Sequence, residues 1–165
     1  MKIIKTKIDY TLFEKYDKEY FIENKIVPIY EDSISLKIAI CSSSNIEKIK
    51  DDFVKIVNFI EEKEHDILFI LANIEKRVIL HKAALKSISS NDDEKFTSYF
   101  LDELILYSIE QRASDIHIEK YQDLCLFKFR VDGRLRIFFS FDEELFRVFS
   151  SFVKLISNLD MTQIR

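Results

Sequence analysis

A chain of 165 residues with 47% hydrophobic content can bury one ordinary core or two small ones, but its single glycine rules out a glycine-rich loop that cradles a nucleotide. Lys and Arg number 25 against 29 Asp and Glu, a net charge of −4; this argues against wrapping nucleic acid while leaving room for a local basic face. Cys41 and Cys125 sit in apolar, strand-like runs without CxxC spacing, as buried thiols in a reducing compartment do. The first five residues lead into no apolar core with a cleavage site. No run nears the roughly 20 apolar residues of a membrane span, so a cytoplasmic location is expected.

Residues 9–24 have a helical period, with Leu12, Phe13, Tyr16, Tyr20 and Phe21 on one side. Pro28 confines residues 26–30 to an edge strand or a strand start. Residues 35–41 alternate as a strand. The Ser42–Asn45 stretch supplies caps for a helix over 46–61. Residues 66–71 read as a buried strand and 73–86 as a further helix. This α/β unit scatters its polar residues and shows no site chemistry. The polar stretch 87–95 is the best linker, and sets an expected division into domains 1–90 and 91–165. Beyond it, an amphipathic helix over 96–112 buries Phe100, Leu101, Leu104, Ile105 and Ile109. Three strands and a last helix over 142–158 follow, the helix burying Leu145, Phe149, Phe152, Val153 and Ile156. The expected class is α/β (α+β) in two small domains, the second a helix, a three-stranded antiparallel sheet and a helix, a PAS-like order.

Charge in strand-like alternation concentrates between Ala113 and Arg136. Asp115, His117 and Glu119 share one side of a polar strand, and a hairpin then carries Lys128, Arg130, Arg134 and Arg136 around Asp132 and Gly133. A two-residue Asp132-Gly133 loop would oppose Val131 to Arg134 and mix charge with core. An odd-length loop, or a bulge near Gly133–Arg134, would instead gather all four cations on the outer face. They would meet either an anion or the chain's own Asp115 and Glu119. Arginine is the better grip for phosphate oxygens. One histidine with two carboxylates is weak evidence for a metal, so no metal site is expected, and no catalytic triad or redox pair is present. Phe138 alone gives poor support for stacking on nucleic acid.

The run Ala113-Ser114-Asp115-Ile116-His117-Ile118-Glu119, followed by Phe127-Lys128-Phe129-Arg130-Val131-Asp132-Gly133, closely resembles the N-terminal part of the secretion-superfamily ATPases that drive type II secretion, type IV pilus assembly and DNA-uptake pseudopili. Residues 155–165 resemble the passage toward that family's catalytic domain, and residues 1–90 loosely resemble the extra domain of assembly-type members. The resemblance implies a homo-hexameric motor using ATP and Mg, peripheral to the inner membrane through cytoplasmic or membrane-bound assembly and platform proteins, with no direct nucleic-acid partner. It implies that Arg130, and Lys128 where the family usually has arginine, reach the ATP phosphates. Arg134 and Arg136, without a firm family match, share their predicted face, while Asp115, His117 and Glu119 orient the sheet against the core or a neighbour and Asp132 and Gly133 are structural, Gly133 as a turn residue. Departures are Lys120 for proline and Thr162, Gln163 and Ile164 at the far end. No Walker lysine loop or RecA-like core is present, so the expectation is an N-terminal fragment or natural truncation that neither hydrolyses ATP nor binds it tightly alone. The alternative is a stand-alone adaptor for the same machinery.

Overall fold

Helix formation begins at Leu12 and is interrupted almost at once. In the computed structural model, which describes residues 6–89 and 93–159, the helix expected over 9–24 is two, α1 (Leu12–Lys15) and α2 (Lys18–Glu23). Tyr16 is extended, at φ −108° and ψ 172°. Asp17 then restarts the helix, its carboxylate accepting from the Glu19 amide at 3.0 Å. A good N-cap inside a periodic run wins over the period.

The chain divides into two compact units, Met1–Val78 and Ile79–Arg165, and each is a small α/β domain. The first holds the sheet β1-β2-β3, made of β1 (Val27–Glu31), β2 (Ser35–Ile40) and β3 (Ile56–Glu61). Asp32 closes the β1–β2 turn by accepting from the amides of Ile34 and Ser35 at 2.8 and 2.7 Å. Pro28 lies on an edge strand, as its missing N–H requires.

Two expectations for this unit are overturned. The helix over 46–61 stops early: α3 spans Ile46–Asp52, its start capped by Asn45, and Phe53 is extended. Residues 56–61 are β3, parallel to β2, with Val57 and Phe59 opposite Leu36 and Ile38. The β-branched Ile56, Val57 and Ile60 favour that outcome. Conversely, the strand expected over 66–71 is part of helix α4 (Glu64–Leu71), in which Asp66, Ile67, Ile70 and Leu71 are buried while Leu68 is exposed. A six-residue apolar run fits both periods, and burial at i, i+1, i+4 and i+5 decides for the helix. After Asn73, at φ 61°, α5 (Ile74–Ser89) forms near its expected place.

The second unit runs α6 (Asp93–Glu110), β4 (Asp115–Tyr121), β5 (Leu124–Val131), β6 (Arg134–Asp142) and α7 (Glu143–Ile156). Its antiparallel sheet has the order β4-β5-β6, so helix, three-stranded sheet and helix follow in the PAS-like order. The linker expected over 87–95 is helical at both ends; residues 90–92, and the expected transition segment from residue 160 onward, lie outside the described residues.

Aromatic rings make the core of this unit. Phe100 of α6 meets Phe127, Phe141 and Phe149 edge to face at centroid distances of 5.4, 5.7 and 5.4 Å. Truncating such a ring to alanine costs about 3–5 kcal/mol. The buried stripe of α6 is Thr97, Phe100, Leu104, Tyr107 and Ser108, whereas Ile105 and Ile109, expected in the core, are exposed. The face is therefore rotated toward Tyr107, whose ring packs 5.5 Å from Phe139. On α7, Leu145 and Phe149 are buried, Phe152 and Val153 are half-buried and Ile156 is exposed. Cys41 and Cys125 are both free and buried.

Candidate functional site

The hairpin that positions the charged residues turns through Asp132 and Gly133 alone, with φ of 49° and 73°. Positive φ at both central residues is what a twisted two-residue hairpin demands, and Asp-Gly supplies it. The register is Val131 to Arg134, Arg130 to Leu135, Phe129 to Arg136 and Lys128 to Ile137. This is the loop expected to mix charge with core, and it does so. The bulge lies farther along: Phe127 pairs with Phe139, leaving Phe138 as the extra residue. Phe138 stacks on Phe129 at 4.4 Å, and both it and Phe139 pack against Tyr107, at 6.1 and 5.5 Å. The bulge thus puts two successive aromatics on the helix side and changes the phase of β6.

The expectation of four cations on one face is overturned as a result. Directly paired residues share a face, so Arg134 and Arg136 lie on the face of Val131 and Phe129, toward the hairpin tip. Lys128 and Arg130 lie on the opposite face with Leu135 and Ile137. A sheet separates the two pairs.

On that opposite face β4 aligns Asp115 with Arg130 and His117 with Lys128. The Arg130 Nε donates to Asp115 at 3.0 Å to Oδ2 and 3.3 Å to Oδ1, Ser114 Oγ donates to Oδ2 at 2.7 Å, and His117 Nε2 lies 2.5 Å from Oδ1. At that separation Nε2 must carry a proton, since two lone pairs would repel. The 3.4 Å approach of Arg130 Nη2 to the same nitrogen is then contact, not a second hydrogen bond. The Ser114 hydroxyl, with His117 and the Arg130 charge, holds the Asp115 carboxyl below its ordinary range. Lys128 pairs with Glu119. Asp115, His117 and Arg130 remain 39%, 40% and 37% exposed, within reach of a ligand. Arg134 and Arg136 are exposed, and no hydrogen bond or ion pair engages either among the described residues. No group of three or more His, Cys, Asp or Glu that could hold a metal ion occurs among the described residues, and none of their helices is long and apolar enough to cross a membrane.

In the first unit the sequence reading missed a polar cluster. Glu31, 7% exposed, accepts from Tyr16 at 2.5 Å, pairs with Lys55 at 2.9 Å and also pairs with Lys15. Its partners lie 15 or more residues away, so no local motif announces it. Of the aromatics on one side of the helix predicted over 9–24, Phe13 and Phe21 are core; Tyr16 and Tyr20 line a cleft of about 320 Å³ with Asp17, Asp52 and Phe53.

Comparison with known proteins gives a family match within the second unit and weaker relatives that align along most of the chain. Residues 90–165 match the family described as type II/IV secretion system protein. The type II secretion system protein E of Pectobacterium carotovorum subsp. carotovorum is 34% identical over 74 residues, 45% of this chain and 15% of that protein. The type IV pilus assembly ATPase PilB of Myxococcus xanthus is 24% identical over 169 residues, 90% of this chain and 30% of that protein. PilB of Acinetobacter baylyi is also 24% identical, over 98% of this chain and 30% of its own length. The chain thus spans between 15% and 30% of the length of these relatives. It is a distant homologue of the type II secretion and type IV pilus ATPases, at low identity and over a part of their N-terminal region.

Proposed function

We propose that the chain is the regulatory and docking segment of a hexameric ATPase that powers type II secretion, type IV pilus assembly or a DNA-uptake pseudopilus. One observation carries the reading: the stretch similar to these ATPases contains the hairpin in which Arg130 is held beside the turn by Asp115. Residues 1–90 would dock the motor on an assembly or platform protein, and the second domain would lend basic groups to a nucleotide site completed by a RecA-like core. Arg130 and Lys128 would hold the phosphate oxygens of a bound Mg–ATP and stabilise the negative charge on them, the role such donors play in phosphoryl transfer. Asp115 and Glu119 hold the two cations in place until phosphate oxygens compete for them. The chain by itself has no turnover. Since the two hairpin faces point apart, Arg134 and Arg136 do not join the same phosphate group.

The adaptor reading draws on one observation: both Lys128 and Arg130 are already neutralised within the chain and need no outside anion. Turnover of the full open reading frame, measured for wild type, Arg130→Ala and Arg136→Ala with oligomeric state checked for each, separates the two. Loss of turnover confined to Arg130→Ala, with hexamers intact, is the expected result. Equal turnover in all three would sink the phosphate role, and an open reading frame without a nucleotide-binding core would establish the adaptor.

A further inference from the structure

The two outer strands of the first sheet are finished differently. β1 is guarded: Pro28 removes a donor, the pairing slips between Pro28 and Tyr30, and the Asp9 amide covers the Ile29 carbonyl at 2.9 Å. Among the described residues β3 has none of these devices. It contains no proline, it pairs with β2 over six consecutive positions without a slip, and Ile56 is 63% exposed beside a fully exposed Val54. Its inner bonds are used by the even-numbered residues, since the Ile56 amide donates to Ile34 and the Glu62 amide to Ile40. In a parallel ladder the alternate residues point the other way, so the N–H and C=O groups of Val57, Phe59 and Glu61 face the open edge.

We propose that β3 pairs antiparallel with β3 of a second copy of this chain, about a two-fold axis at Asn58, joining two three-stranded sheets into one. The sequence of the edge is self-complementary in that register. Val57 and Phe59 of one copy face Phe59 and Val57 of the other as hydrogen-bonded pairs. Ile56 faces Ile60, the Asn58 amides meet on the axis, and Lys55, whose ammonium is held by Glu31 of its own copy, stands opposite Glu61 without like charges meeting. Centring the axis on Phe59 instead would oppose Val57 to Glu61 and Lys55 to Lys63, setting apolar against charge and like against like. The pairing is isologous, the same patch on both copies. It does not rest on the nucleotide reading.

A cysteine scan of the 165-residue chain tests this directly, because Cys41 and Cys125 are buried and cannot compete. Asn58 is exposed, and on the axis it occupies a non-hydrogen-bonded pair with Cα atoms about 4.5 Å apart, within disulfide range. Under mild oxidation Asn58→Cys should give a covalent dimer, whereas Ile56→Cys and Ile60→Cys, which face each other and not themselves, should not. By sedimentation at submillimolar concentration the wild-type chain should be dimeric, and Ile56→Lys should weaken the dimer at least about tenfold. Val57→Pro, which removes only an outward-facing donor, should do the same with an unchanged circular-dichroism spectrum. A monomeric wild type, a dimer indifferent to Ile56→Lys and Val57→Pro, or cross-linking equal at positions 56, 58 and 60 would overturn the proposal.

Discussion

Glu31 and Asp115 each have three side-chain partners, all distant in sequence for Glu31 and only Arg130 distant for Asp115, and the two clusters do different work. Glu31 is 7% exposed and takes Lys15, Lys55 and Tyr16; Asp115 is 39% exposed and takes Ser114, His117 and Arg130. Burial of the carboxylate by itself would raise the Glu31 pKa. The bonds from Lys15, Lys55 and Tyr16 outweigh that and bring it from its ordinary 4.5 down to about 2. Water cannot replace those partners, so Glu31 ties α1, β1 and the start of β3 together. Around Asp115 water can substitute, so the cluster fixes orientation and leaves its cation free to exchange partners. Accessibility of the carboxylate, more than the number of its partners, separates a structural cluster from a candidate site.

The largest effect expected from this contrast is at Glu31. Glu31→Gln leaves two lysines without their shared anion and should destabilise the first unit by about 2 kcal/mol in urea unfolding. Acid should act the same way. The folded pKa lies below the unfolded one, so the contribution is complete above pH 4.5 and is lost as pH falls toward about 2. Stability measured across that window should decline in wild type and less steeply in Glu31→Gln; parallel curves would show that the cluster contributes nothing.

A smaller effect is expected at the turn that separates the two basic pairs. Gly133 has φ 73°, and nothing lies within 4 Å of where a Cβ would stand. Gly133→Ala therefore meets no clash, only the conformational cost of a left-handed residue, about 1 kcal/mol. Cross-strand nuclear Overhauser contacts between Val131 and Arg134 should persist. Their replacement by Val131–Leu135 contacts would mean that the register slips easily and that the faces carrying Arg130 and Arg134 are not fixed.

How much of this was legible beforehand depended on where the deciding interaction lay. The β4–β5 strands and the facing of Asp115, His117 and Glu119 follow from alternation, which is local. The phase of β6 does not, because Phe138 and Phe139 are both drawn inward by Tyr107, about 30 residues earlier on a helix whose buried face is rotated from the one its own period predicts. Ile105 and Ile109 look like core on an isolated helix wheel; the partner sheet selects Tyr107 instead. Helix and strand were exchanged at 56–61 and 66–71 for a related reason: short apolar runs satisfy either period until a neighbour chooses. The Glu31 cluster joins three separated segments and had no local signature at all.

The smallest stability effect and the most informative binding effect are expected at the same residue. Asp115→Asn removes the charge opposite Arg130 but keeps an oxygen that can accept from Ser114 and Arg130, and the site is open to water, so the melting temperature should not change measurably. What should change is competition. With the carboxylate gone, Arg130 has lost its internal anion, and pyrophosphate titrated into labelled protein should shift the Arg130 and Lys128 amides at lower concentration than in wild type. Arg134→Ala should leave that titration unaltered, since its side chain lies across the sheet. If pyrophosphate affinity is the same with and without Asp115, the Asp115–Arg130 pair is not a gate on anion binding, and its exposed geometry would be a second way of fixing a strand rather than of holding a cation in reserve.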